Sequence, residues 1–176
     1  MATLTSYETG QDGDGVIGDT GNLEVQNAQS FQISEQATIT IVSLYLKRYA
    51  TYPTDAITVR IETDNAGAPS GTLANANATG TIASASTTSS YAFVDLTFAT
   101  PFILSASTTY HIRAYVPNQS TNVRYLWGRD ETSPGYADGN ENYSLDGGTS
   151  YIAESGMDLL FKVTGNLASS GFLTIL

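Results

Sequence analysis

The chain has no cysteine, which excludes disulfide bridges and metals held by thiolates. It is also poor in cations: 7 Lys and Arg stand against 17 Asp and Glu in 176 residues, a net charge of −10. That balance argues against a nucleic-acid partner, whose phosphates such a surface would repel. His111 is the only histidine. Without a cysteine or a Gly-x-Ser-x-Gly motif, covalent catalysis has no candidate nucleophile. The carboxylates cluster in turns rather than on strands flanking a cleft, which argues against a glycosidase and for a protein that is not an enzyme. No apolar run approaches the ~20 residues of a membrane helix. The opening MATLTSYETG has no basic stretch followed by an apolar one, so the expectation is synthesis in the cytoplasm without a signal peptide and no membrane contact.

What is present is strand pattern. Only 14% of residues are charged while 41% are hydrophobic, and β-branched and aromatic residues are frequent, which favours a sheet protein. From Tyr91 to Val116 two period-two alternations follow one another: Ala92, Val94, Leu96 and Phe98, then Tyr110, Ile112, Ala114 and Val116. Such spacing marks strands with one buried face. It turns Phe93, Asp95, His111, Arg113 and Tyr115 outward. Ile57, Val59 and Ile61 make the cleanest strand, and Leu23–Ile33, Asn122–Gly128 and Met157–Val163 supply others. In Thr38–Arg48 the apolar phase switches between Ile41 and Val42, which predicts a bulge or a bend between sheets. Asp64 to Gly71 reads as a loop, and no helix longer than a turn or two is predicted. The fold class expected is an all-β antiparallel β-sandwich, jelly-roll-like, with eight or nine strands. It spans residues 23–164, preceded by a flexible or partner-bound acidic arm at 1–22 and followed by an apolar tail at 165–176.

Several phrases on these strands carry a resemblance. Ala28-Gln29-Ser30-Phe31, Ser43-Leu44-Tyr45-Leu46-Lys47, Thr58–Asp64 leading into Gly67-Ala68-Pro69-Ser70-Gly71, Thr108-Thr109-Tyr110, Trp127-Gly128, Tyr136-Ala137, Asp146-Gly147-Gly148-Thr149 and Asp158–Lys162 occur in that order. Together they resemble a family of jelly-roll domains found in phage virion proteins, decoration or tail-associated, and in bacterial surface proteins. The resemblance covers most of residues 28–163 and implies a binding or structural module without a catalytic residue.

Three sets of side chains are candidate sites. Tyr125, Trp127, Arg129, Tyr136, Tyr143 and Tyr151 offer aromatic faces and a cation to a carbohydrate, with core packing as the alternative role. Closely spaced carboxylates beside glycines suit a hard cation, so Asp12, Asp14 and Asp19, or Asp138, Asn140 and Glu141, are candidates for a structural Ca²⁺; solvated acidic loops are the alternative. No other cofactor is expected. Phe172, Leu173, Ile175 and Leu176 are costly to expose, so they pack on the chain's own sandwich or dock on a neighbour by adding a strand to a sheet edge. The function expected is a phage-type virion structural protein, made in the host cytoplasm and carried in many copies or as a homo-oligomer on capsid or tail proteins. A carbohydrate-binding module or host-surface adhesin is the alternative.

Overall fold

The computed structural model describes residues 1–19, 23–49, 53–117 and 124–168. The strands in chain order are β1 (Ala2–Tyr7), β2 (Gly13–Asp19), β3 (Glu24–Phe31), β4 (Ala37–Arg48), β5 (Ile57–Asn65), β6 (Ala68–Leu73) and β7 (Thr79–Ile82). After a single 3₁₀ turn come β8 (Ala92–Leu104), β9 (Tyr110–Tyr115), β10 (Arg124–Asp130), β11 (Glu141–Ser144), β12 (Ile152–Glu154), β13 (Asp158–Leu159) and β14 (Phe161–Leu167). Strand makes up 61% of the described residues, and among them no helix is long and apolar enough to cross a membrane.

All strands belong to one antiparallel, sandwich-like network of 14 members, ordered β1-β14-β4-β10-β2-β3-β9-β5-β6, from which β7, β8, β11, β12 and β13 branch. The expected eight or nine strands were too few. Two of the extra strands lie in the segment expected as an arm: β1 pairs with β14 and β2 with β10. These pairings are made by backbone groups, which need no apolar side chains to announce them. Residues 165–167, expected in the tail, extend β14 along β4. The expected loop from Asp64 to Gly71 is a tight hairpin. Ala66 and Gly67 take φ of 54° and 88° between β5 and β6, the left-handed pair that two-residue hairpins require.

The phase switch in β4 is a bulge, as predicted. Thr164 faces Ile41 and Gly165 faces Ile39, so Thr40 has no partner in β14. Its hydroxyl donates to the Thr164 carbonyl at 3.0 Å. A side chain on Gly165 would collide with the Thr38 carbonyl, so the bulge also fixes that glycine. Either side of it, Ile39, Val42, Leu44 and Leu46 enter the core, where they meet Val94, Leu96, Ile57, Val59, Ile61, Ile112 and Phe161.

The two strands at the centre of the sequence pattern part company. β8 lies along one side of β4, while β9 is central, between β3 and β5. Ala92, expected inward, is exposed. In β9 the residues expected outward, His111 and Arg113, are 0% and 8% exposed. A second polar layer covers that face: Arg113 donates to Gln26 Oε1 at 2.8 Å and to Glu62 Oε1 at 3.0 Å, and Gly148 lies against the guanidinium.

Trp127 is the only tryptophan and is wholly buried, its indole N–H donating to the Leu160 carbonyl at 2.8 Å. Native fluorescence is therefore expected to be blue-shifted and resistant to iodide, and Trp127→Ala to cost about 3–5 kcal/mol in urea unfolding. Ready quenching in the folded state would place the ring elsewhere.

Candidate functional site

β2 and β3 pair only at Gly18↔Val25 and Asp19↔Glu24. Beyond that point β2 follows β10, while β3 runs between β9 and β11. The strands splay, and a cleft of about 210 Å³ opens in the wedge. Asn27 bridges its floor, donating from Nδ2 to the Val16 carbonyl at 2.5 Å. β2 passes close because Gly15 carries no side chain; a Cβ there would strike Leu159 and crowd Asn27.

Strand alternation decides what points into this wedge. On β10, Tyr125 and Trp127 are core residues, and Arg129 is the next position in phase. On β11, Glu141 and Tyr143 stand opposite Gln29 and Asn27, in phase with the core residue Phe31. The interior thus passes from apolar to polar at this end. Arg129 Nη1 approaches the Glu141 carboxylate at 3.3 Å, and its Nε donates to Glu131 at 2.9 Å. Burial pushes the Glu141 carboxyl up to about 7, against the opposing pull of Arg129. Burial also lowers the Arg129 pKa, but Glu141 and Glu131 together outweigh it and raise it. Glu154 of β12 stands directly opposite Glu141, and Asp14 of β2 lines the other wall. The expectation that carboxylates would avoid strands flanking a cleft is therefore corrected for Glu141 and Glu154.

Of the six residues considered for a carbohydrate, only Arg129 and Tyr143 line this cleft. Tyr125 and Trp127 are 0% exposed and have no free ring face, because their strand turns them into the core. Tyr125 instead donates to the Asp55 carbonyl at 2.5 Å. Tyr136 packs edge-on against Phe161 with centroids 5.2 Å apart. Tyr151 is half-buried on the other side of the sheet, near Arg113 and Glu62.

The calcium candidates are dispersed. Asp12 accepts from the Glu131 N–H at 2.7 Å and from the Thr132 hydroxyl. Asp14 accepts from the Tyr91 hydroxyl and lies 3.8 Å from the Lys47 ammonium. The Asp19 side chain lies outside the described residues. Asp138 is exposed, and Asn140 donates from its side chain to the Glu141 carbonyl at 3.3 Å. Glu141 itself turns to Arg129. Among the described residues no group of three or more His, Asp and Glu is placed to hold a metal ion. Phe172, Leu173, Ile175 and Leu176 also lie outside the described residues.

Sequence reasoning missed Asn27, Glu154 and the role of Glu141. An inward polar position continuing an apolar alternation, as at Arg129, was the available signal.

Because the folded carboxyl titrates near 7 rather than near the ordinary 4.5, the native state keeps a proton that the unfolded chain releases. Stability from this group is complete below about pH 4.5 and lost as pH rises through 7. Relative to Glu141→Gln, the native chain is expected to lose about 3 kcal/mol between pH 4 and pH 8 in urea unfolding. A difference that does not vary with pH would show an unperturbed carboxyl.

No family model matches the chain, and no curated protein matches it, so what the cleft does has to be read from its own side chains.

Proposed function

We propose that the chain is a jelly-roll-like structural protein of a phage-type virion, a decoration or tail-associated module docked on other virion proteins. The role is one of binding rather than catalysis, with the protein made in the host cytoplasm and present in many copies. The observation that carries this reading is the corner of the sheet from which the C-terminal segment departs. There Ala168 is tied to Gln36 by a 2.9 Å backbone hydrogen bond. Leu167 and Ile103, 50% and 57% exposed, flank the start of β4, opposite Ala37 and Thr38. The apolar residues Phe172, Leu173, Ile175 and Leu176 follow in sequence from that corner. Exposed apolar groups, followed in sequence by an apolar segment, favour association over solvation. The carbohydrate alternative has less to draw on, since Tyr125 and Trp127 are enclosed and the cleft is smaller than the ~300–1,000 Å³ of typical ligand pockets.

A chain ending at Ala168, and separately Ile103→Asp, should keep the native circular dichroism spectrum yet fail to cosediment with virions depleted of the protein. Undiminished binding by the shortened chain would refute this docking mode.

A further inference from the structure

We propose that the wedge between β2 and β3 is a socket for one cationic side-chain tip, the guanidinium or ammonium of an Arg or Lys. That the side chain belongs to a neighbouring virion protein rests on the function proposed above; the socket's chemistry does not.

Asp14, Glu141 and Glu154 line the wedge and Glu131 pairs with Arg129 behind it, four carboxylates against two cations, Arg129 in the lining and Lys47 on Asp14. Both cations are already engaged, Arg129 with Glu131 and Glu141 and Lys47 with Asp14. Glu141 and Glu154 occupy one cross-strand pair, an arrangement that costs stability when both are charged. Among the described residues, these two cations leave the wedge with an excess of negative charge.

The second observation is independent of charge. Asn27 is 1% exposed and lines the cleft, and its Oδ1 accepts no hydrogen bond. A buried acceptor without a donor costs about 1–3 kcal/mol, and in native proteins it calls for a partner. The missing group must therefore bring donors and positive charge together. A bare metal ion does not suit the site, because no three of its carboxylates converge on one point. The volume of about 210 Å³ admits the end of a single side chain rather than an extended ligand. Ammonium and guanidinium groups have donors only and no acceptors, which matches a wall of acceptors.

Binding should depend on pH through Glu141. The charged groups facing it are Arg129 of β10, Glu131 beyond that strand and Glu154 of β12, with Asp14 of β2 across the cleft. Its carboxyl titrates near 7, so about nine-tenths is ionised at pH 8 and about one-tenth at pH 6.

The test titrates the full ¹⁵N-labelled chain with butylammonium or methylguanidinium chloride at constant ionic strength, with butanol and calcium chloride as comparison probes. Saturable shifts are expected at the Asn27 side-chain amide, the Arg129 Nε–H and the Tyr143 amide for the two organic cations only. Comparing the two shows which tip is preferred. Affinity should fall about tenfold from pH 8 to pH 6, and about tenfold in Glu141→Gln or in the half-buried Glu154→Gln at pH 8. Equal shifts with butanol, saturation by calcium, no saturable shift with either cation, or a folded Glu154→Gln of unchanged affinity would each overturn the proposal. No virion partner is needed, so a failure here leaves docking through the tail standing, and a failure of that docking leaves the socket standing.

Discussion

A half-buried guanidinium facing the interior has to meet a carboxylate, and most of what is distinctive in this molecule follows from that requirement at Arg129. The alternation that carries Tyr125 and Trp127 into the core carries Arg129 inward as well. An uncompensated charge there would cost several kcal/mol. Glu141 supplies the counter-charge, from a short strand in the long segment between β10 and β14. That strand is held by β3, which sets Glu141 opposite Gln29, and the Gln29 side chain in turn reaches Asp158 at 3.2 Å. One inward cation thus recruits a polar end to an otherwise apolar interior.

The same segment works on both faces of the sheet. Glu141 and Tyr143 face the cleft, while Gly148 lies over Arg113 on the opposite face and Tyr151 sits near it. Arg113 and Glu62 form a second enclosed pair there at 3.0 Å. Asp146 pins the connecting turn, accepting from the Ser144 and Ser150 hydroxyls at 2.7 and 2.6 Å, and these hydrogen bonds hold its carboxyl down at about 2. The length of that segment has a structural reason. It closes one polar layer and furnishes the other.

Side-chain periodicity made much of the sheet readable. Ile57, Val59 and Ile61 are all core residues, and the phase switch beside Ile41 marks a real bulge. Periodicity does not say which face of a strand is covered, or by what. Tyr125 and Trp127 lie two apart within the strand expected at Asn122–Gly128 and so share a face, but nothing local decides between core packing and a sugar-binding surface for it. Likewise, β9 alternates cleanly, yet His111 and Arg113 are buried by elements far along the chain. β2 was illegible for a different reason. Its glycines look like a flexible arm, whereas Gly13 and Gly15 permit close passage beside Glu131 and Leu159. Glu141 was grouped with Asp138 and Asn140 by nearness in sequence, although the strand turns it toward Arg129.

The pairing of Arg129 with Glu141 is the point on which the account turns, and a double-mutant cycle measures it directly. Unfolding free energies at pH 8 would be compared for the native chain, Arg129→Met, Glu141→Leu and the double variant. Arg129→Met alone should be clearly destabilising, because Glu141, enclosed and without its counter-charge, has to take up a proton at pH 8. The double variant should recover most of that loss, giving a coupling well above about 1 kcal/mol. Two additive single effects would contradict it, and would mean that Arg129 faces water rather than the interior.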